Sequence, residues 1–467
     1  MRFSVAVPSA GILVGSVGTV LLCTTLLTGA AVAQVAPRAP ITVRSAGAPA
    51  SDARADTLLF LHALYDALDR ANPRVRAASE LSRAASARVS SATKPPDPEL
   101  QVGFMNYSLP RLAPDATLGM RQLQLMQMVP LPGKLAAAGD AARARAEAAG
   151  SRAADIRWDV RAATAMAFYE RWSAGERIEI ARATRRLLED AAAVATAMYR
   201  VGEGRQSDVL RARVEVARMD EEIIRMQVMA ESARARLAAA VDLPESTVDG
   251  TPVLPIFPDS VPQRADLQSL ALRNRSMLAA GEAEVRAAVA EERLARRERW
   301  PDLVVGVQYG ERGMEMGTDR MGSLMVGATI PIFARSRQLP MRVEAAAMRA
   351  MSEAELRSMQ ADTRARVTEV HAELARARRL TALYLTTVLP QAEAAAASAL
   401  SSYRSGAVDF MTVIENRMVV NRYREELVSL TAAEGRAWAD LEMLISQPLL
   451  VPAGTRQCQI AWGEWGG

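Results

Sequence analysis

The chain has 467 residues and a formal net charge of +4, and half of its residues are hydrophobic although only 4% are aromatic. Few aromatic residues argue against a large aromatic-packed core, and frequent alanine with arginine, glutamate and leucine is typical of long, closely packed helices. So small a net charge indicates no nucleic-acid surface. Two cysteines, Cys23 and Cys458, exclude a disulfide framework, and two histidines, His62 and His371, argue against metal chemistry.

The first 33 residues are predicted to be a signal peptide. A positive start and an apolar stretch lead to Ala31-Val32-Ala33, a small-residue cleavage site. Cys23 would suggest lipid attachment, but Leu22 stands where a small residue is expected, so simple cleavage is favoured. Residues 34–56 are predicted to form a flexible segment. No later stretch has 18 uninterrupted apolar residues, so we expect no transmembrane helix.

The rest of the chain contains an internal duplication. Tyr199-Arg200-Val201-Gly202 recurs as Tyr403-Arg404-Ser405-Gly406 at an offset of 204 residues. Val129-Pro130-Leu131-Pro132 recurs as Ile330-Pro331-Ile332-Phe333 at an offset of 201. Further matching residues keep the same order and nearly the same offset, which predicts two tandem repeats.

A proline-rich stretch separates the repeats. Residues 243–263 contain five prolines, which remove backbone donors and disfavour helix, so this linker is predicted to be extended or loop-like. The predicted domains are therefore a first repeat at 57–242, a second at 264–446 and a C-terminal tail at 447–467.

Each repeat is predicted to run helix, two strands, long helix, tip, helix. The four strands alternate apolar residues with Gln, Gly, Ser and Thr, and they are Glu99–Tyr107, Arg121–Val129, Leu303–Gly310 and Ser323–Ile330. Their length is close to the about 9–11 residues of a tilted strand in a bilayer. The polar face would suit a water-filled lumen. Four strands of a soluble sheet would show the same pattern.

Long helices are predicted to follow the strands. One spans Leu135 to about Tyr199, and the other spans Arg337 to about Tyr403 with a kink at Pro390. At 1.5 Å per residue, about 65 residues reach roughly 100 Å. After the first tip, small and apolar residues recur at every third or fourth position from Val209 to Ala240. This spacing is typical of the contact face of a coiled coil.

Four strands cannot close a barrel within one chain, because about eight is the practical minimum. Open strand edges are also excluded from lipid. We therefore expect other copies of the chain to complete the barrel, with the helical hairpins side by side in a tube.

The sequence resembles the TolC family of outer-membrane efflux proteins over about residues 58–446. The segments that carry the resemblance are Leu58 through Asn72-Pro73, Pro98-Glu99-Leu100, Val129-Pro130-Leu131-Pro132-Gly133-Lys134 and the two tips. The resemblance implies a mainly α fold with a small β part, in which coiled-coil hairpins form a periplasmic α-barrel. It implies a homotrimer whose strands close a twelve-stranded outer-membrane β-barrel. It also implies two partners, a periplasmic adaptor and an inner-membrane pump of the RND type.

The resemblance assigns the adaptor contact to the tips. The predicted contact residues are Tyr199, Arg200, Gly202, Arg205, Asp208, Tyr403, Arg404, Gly406 and Asp409. The predicted pore-entrance residues are Thr412 and Glu415, where family members often carry two Asp, so a strongly cation-binding ring is less expected. Arg205 and Asp409 replace a Ser or Thr often found in the family, which predicts an idiosyncratic adaptor contact. Any helical hairpin needs a tip glycine, so Gly202 and Gly406 also have a purely structural explanation.

Methionines form two groups. One group lies in or beside a strand-connecting loop that is predicted to be extracellular, and it consists of Met314, Met316, Met321 and Met325. The other group lies on the face of the first strand pair that is predicted to line the lumen, and it consists of Met105, Met126 and Met128. Thioethers suit Cu(I) or Ag(I), but methionine also fills space on pliable surfaces. The segment Pro130-Leu131-Pro132-Gly133-Lys134 resembles the corresponding sequence in the cation-efflux branch of the family.

The predicted function is a passive outer-membrane efflux channel, with heavy-metal cations as candidate cargo. The chain has no G-x-S-x-G, P-loop or H-E-x-x-H motif, and we expect neither enzymatic activity nor a cofactor. Two alternatives stay open. One is a soluble periplasmic coiled-coil scaffold, and the other is the same fold serving type I protein secretion.

Overall fold

The computed structural model describes residues 58–108, 110, 113–114, 119–314 and 317–450. The predicted signal peptide, the segment at 34–56 and the tail beyond residue 450 lie outside the described residues. No helix in the described ranges is both long and apolar enough to cross a lipid bilayer.

In the first half of the chain, the described residues form six strands and four α-helices. They are β1 (Leu58–Phe60), α1 (Leu61–Ala71), α2 (Pro73–Ala92), β2 (Glu99–Met105), β3 (Tyr107–Ser108), β4 (Ala113–Pro114), β5 (Met120–Val129), α3 (Lys134–Arg200), α4 (Gln206–Val241) and β6 (Thr251–Val253). A 3₁₀ turn at Glu245–Val248 precedes β6.

The second half repeats the pattern. Its elements are α5 (Arg264–Asn274), α6 (Ser276–Arg297), β7 (Asp302–Met314), β8 (Gly317–Thr329), α7 (Gln338–Leu383), a π-helical turn (Tyr384–Val388), α8 (Leu389–Arg404) and α9 (Phe410–Ile445). The prediction of a mainly helical chain with few strands is confirmed.

One antiparallel sheet contains strands from both repeats in the order β2-β5-β7-β8. Its central pair joins the repeats, since β5 of the first repeat runs beside β7 of the second from Met120↔Arg312 to Val129↔Leu303. Within the described part of the chain, the outer edges of β2 and β8 have no strand beside them. The sheet therefore ends in two open edges.

The strands differ from their predicted bounds at one end of the sheet. β2 stops at Met105 because Asn106 adopts a left-handed conformation, with φ of 56°, that breaks the pleat. Tyr107 then begins β3, which pairs with β4. β7 and β8 extend several residues beyond the prediction, so Met321 lies within β8 and not in a loop.

The two faces of this sheet have different chemistry. One face is apolar and exposed to solvent, and its large side chains are Leu100, Val102, Phe104, Leu123, Leu125, Leu303, Val305, Val307, Tyr309, Leu324 and Val326. The opposite face carries glutamine, glycine and methionine, and there the Gln308 side-chain amide donates to Gln122 Oε1 at 2.6 Å. An exposed apolar face of this size requires a covering, which the residues that the structure describes do not supply.

Helix α3 is the longest element, with 67 residues, and at 1.5 Å per residue it is about 100 Å long. It packs against α2 and α4 of its own repeat and against α6 and α9 of the other. The buried positions along it are largely alanine, which lets neighbouring helices approach closely. The Thr184 hydroxyl donates to Asn421 Oδ1 of α9 at 2.7 Å, so a buried polar contact also joins the repeats.

The helix that corresponds to α3 in the second repeat is interrupted where a kink at Pro390 was predicted. The interruption takes the form of the π-helical turn, immediately before Pro390 near the start of α8. Proline has no N–H, and its ring clashes with the carbonyl four residues earlier, so a wider turn relieves the contact. The Thr386 hydroxyl donates to the Ala382 carbonyl at 2.8 Å within this turn.

The linker between the repeats is fixed to both long helices. Its β6 strand pairs in parallel with β1 at the start of the first repeat. The Arg171 guanidinium of α3 donates to the Asp249 and Gly250 carbonyls, each at 2.9 Å. Arg378 of α7 donates to the Asp259 carbonyl at 2.9 Å and to Glu434 Oε1 at 2.7 Å. The contact with Arg378 compensates the charge of Glu434, which is buried in α9 among mainly apolar side chains.

Candidate functional site

The first tip joins α3 to α4 through a glycine turn. Gly202 has φ of +84°, a conformation that favours glycine, and the Glu203 N–H donates to the Met198 carbonyl at 3.0 Å. This six-to-one hydrogen bond after a left-handed residue defines a Schellman cap. Arg205 is exposed and adopts an extended conformation just before α4.

The second tip joins α8 to α9 with the same geometry. Gly406 has φ of +73°, and the Ala407 N–H donates to the Ser402 carbonyl at 2.8 Å. Asp409 precedes α9 in the position that Arg205 holds before α4. The repeated sequence motif therefore produces one backbone turn twice.

The equivalent tyrosines of the two tips lie in different environments. Tyr199 is 48% exposed, whereas Tyr403 is 6% exposed and packs on Phe410, with ring centroids 5.2 Å apart. Tyr403 belongs to a cluster of side chains from α3, α4, α8 and α9. The two tips are therefore packed together, with the second tip contributing its tyrosine to their shared core.

Acidic groups flank this buried tyrosine. Burial raises the pKa of Tyr403, and the negative charges of Asp208 and Asp409 raise it further. Asp208 is itself buried and accepts a hydrogen bond from the Ser207 hydroxyl at 3.2 Å, whereas Asp409 is exposed. A phenol is already neutral at physiological pH, and the raised pKa moves ionisation further away, so Tyr403 acts here as an uncharged packing group.

The remaining predicted tip residues lie on the outer surface. Arg200 and Arg404 are exposed at the ends of their helices. Thr412 is half-buried in the first turn of α9, and Glu415 is exposed one turn later. No basic side chain in the described ranges forms an ion pair with Glu415. The structure thus brings Asp208, Tyr403 and Asp409 together and leaves Glu415 free to face solvent or a partner.

A second polar cluster, at the junction of sheet and helices, was missed by sequence reasoning. Lys134 begins α3 and is 5% exposed, and its ammonium donates to Asp302 Oδ1 at 2.8 Å and to the Trp300 carbonyl at 2.9 Å. Glu298 lies 3.8 Å away. Two signals in the sequence pointed to Lys134: it ends the segment Val129–Lys134 that resembles the TolC family, and it is one of only two lysines in the chain.

The described residues contain no group of three or more His, Cys, Asp or Glu side chains arranged to hold a metal ion. The hydrophobic residues that the structure brings together at the tips pack against one another in one cluster.

The fold and the duplicated tips agree with comparisons with known proteins. The family described as outer membrane efflux protein matches residues 63–242 and 267–447. The chain belongs to this family. The resemblance predicted from the sequence is confirmed at this level, while the cation-efflux branch stays a prediction. Among curated proteins, none matches the chain in sequence.

Solved structures with the same fold include outer-membrane proteins and channels. The outer membrane protein VceC from Vibrio cholerae is 17% identical with a TM-score of 0.71, and the match covers 83% of this chain and 96% of that one. The open state of the Neisseria gonorrhoeae MtrE channel is 16% identical with a TM-score of 0.68, over 83% and 89% of the chains. CusC is 16% identical with a TM-score of 0.70, over 82% and 91%. At such identities the likeness concerns the fold.

Proposed function

We propose that three copies of this chain form the outer-membrane channel of a tripartite efflux system. The observation that carries the proposal is the four-stranded sheet, which has two open edges and an exposed apolar face. If β8 of one copy pairs with β2 of the next, three sheets give twelve strands, which exceeds the practical minimum of about eight for a closed barrel. Lipid then covers the apolar face, and glutamine, glycine and methionine line the lumen.

The helices would extend this channel into the periplasm. Helix α3 alone is about 100 Å long, so its tip lies far from the sheet. At that distance the exposed Arg200, Arg205, Arg404 and Asp409 can contact a periplasmic adaptor, which in turn holds an RND-type pump. The pump supplies the energy, and this chain conducts passively. Heavy-metal cations are the proposed cargo, on the basis of the methionines.

Reconstitution in a planar bilayer tests this function. The detergent-purified chain is expected to insert and give discrete conductance steps. Recovery of the chain in osmotic-shock fluid, without conductance, would instead favour a periplasmic scaffold. Secretion of a polypeptide lost on deletion of the gene, with unchanged metal tolerance, would favour type I protein secretion.

Glu415 is proposed to lie at the channel entrance, so its removal should change ion passage. Three copies of this exposed carboxylate around a threefold axis would attract divalent cations and repel one another. We expect Glu415→Ala to raise several-fold the Mg²⁺ concentration that blocks half of the single-channel conductance.

Glu355→Ala is the matched control, because Glu355 is also exposed but lies on α7, roughly 70 Å from the tip at 1.5 Å per residue. It should leave the block unchanged. An identical block in wild type and Glu415→Ala would remove Glu415 from the entrance.

A further inference from the structure

The polar face of the sheet carries methionines arranged around two glycines of β7. Gly306 lies in register between Met126 of β5 and Met325 of β8. A Cβ placed on Gly306 would be 3.3 Å from Met126 Cγ and 3.5 Å from Met325 Cε. The side chains of both methionines therefore pack over the Gly306 backbone and occupy the space that a side chain there would need.

The same arrangement recurs four residues along β7. Gly310 lies in register with Met321 of β8, and a Cβ placed there would be 3.0 Å from the Sδ atom of Met120. Met105 of β2 lies directly opposite Met120. Directly opposed residues have Cβ atoms about 4.5–5.5 Å apart, within reach of two long side chains. Five methionines from three strands thus form two groups, one beside each glycine, and the glycines are about 13 Å apart along β7.

We propose that these five methionines, Met105, Met120, Met126, Met321 and Met325, bind the soft monovalent cations Cu(I) and Ag(I). Thioether sulfur is a soft, uncharged donor that selects such ions over hard or borderline divalent ions. Because Gly306 and Gly310 have no side chains, the methionines beside them can lie close to the surface of the sheet. The inference rests on the proposed channel for its role in transport, because the site would then line the lumen.

The surroundings of the site suit transient binding. Glu99 lies in register with Met126 and adds one anionic group beside the first pair. The Gln124 amide nitrogen lies 3.9 Å from Met325 Sδ, so an entering ion displaces only a weak contact. Conduction requires sites that attract an ion without retaining it. Neutral thioethers meet that requirement better than thiolates.

Two of the methionines are accessible to an ion from solution. Methionine fills space in cores and on pliable surfaces, and here Met105 is 45% exposed and Met321 is 38% exposed. Leucine would supply the same volume and more defined packing. The shared feature of the five positions is sulfur placed on one accessible face.

Silver binding to the purified full chain tests the site. Every protein carries Cys458→Ser so that no thiolate competes, since Cys23 is removed with the predicted signal peptide. Equilibrium dialysis against AgNO₃ in chloride-free buffer compares this background with a variant in which all five methionines are leucine. The control variant carries Met348→Leu and Met351→Leu, two exposed methionines of α7. Circular dichroism checks that each protein keeps its helical content.

We expect the five-leucine variant to bind Ag⁺ at least tenfold more weakly than the background, and the control to match the background. Equal Ag⁺ affinity in all three proteins, or no Ag⁺ binding by the background, would overturn the site. Bilayer recordings on the same samples separate the two proposals. A conducting channel without methionine-dependent Ag⁺ binding refutes only the site, whereas methionine-dependent binding without any conductance refutes only the channel.

Discussion

Replacing Lys134 with methionine is expected to destabilise the chain by about 2–4 kcal/mol, because it leaves a partly buried carboxylate without its cation. The Lys134 ammonium contacts Asp302 and the Trp300 carbonyl, both of which belong to the second repeat. Methionine keeps the aliphatic stem but removes all of these hydrogen bonds. The measurement is the urea midpoint of unfolding, followed by circular dichroism in detergent.

The other lysine of the chain provides the control. Lys94 is exposed, and Lys94→Met should change the free energy of unfolding by less than about 0.5 kcal/mol. Lys134→Met with Asp302→Asn should recover part of the loss, since the unpaired charge is then gone. Equal midpoints for Lys134→Met and Lys94→Met would show that the junction does not depend on this ion pair.

Gly435→Ala is expected to destabilise the chain by about 2–3 kcal/mol, because the added methyl group meets a rigid ring in a filled core. A Cβ on Gly435 of α9 would stand 2.3 Å from Tyr169 Cε1 and 2.4 Å from Tyr169 Cζ. Tyr169 is fully buried on α3 and cannot move aside without disturbing its neighbours. The melting midpoint of the detergent-solubilised protein should fall.

For a glycine on the exposed side of α3, replacement by alanine is expected to stabilise the chain. Gly175 has open space where a Cβ would stand, and Gly175→Ala should stabilise its helix by about 0.5–1 kcal/mol. Combining Gly435→Ala with Tyr169→Leu should cost less than the two changes separately. A rise in the melting midpoint with Gly435→Ala alone would contradict the close approach of α3 and α9.

The long helices could be predicted from the sequence because their ends are marked locally. The predicted helix from Leu135 to Tyr199 differs from α3 by one residue at each end. Prolines and Gly133 precede this helix, and Gly202 follows it. Helix-breaking residues within a few positions therefore mark both of its ends. The kink at Pro390 was predictable for the same reason, although its π-helical form was not.

The far end of the sheet could not be predicted in this way. Residues 311–322 are rich in glycine and charged residues. That composition predicts a loop when the pairing between the two strands is not known. In the structure Arg312 faces Asp319 with 3.7 Å between their charged groups, and Glu311 faces Arg320 at 3.4 Å. Such cross-strand pairs stabilise a hairpin only once its register is known.

The tips show a similar limit. The repeated Tyr-Arg-x-Gly motif predicted both turns, and the structure has both. The motif could not reveal that Tyr403 is buried while Tyr199 is exposed, because that difference arises from packing between the hairpins. The contact between Lys134 and Asp302 could not be predicted either, because Asp302 lies 168 positions away in the sequence.

The most direct test of the account is the mass of the assembly extracted from outer membranes in mild detergent, measured by native mass spectrometry. No strand of the described residues pairs with the outer edges of β2 and β8, so we expect a particle of three chains that requires detergent to stay in solution. A monodisperse single chain, stable in detergent-free buffer, would contradict it.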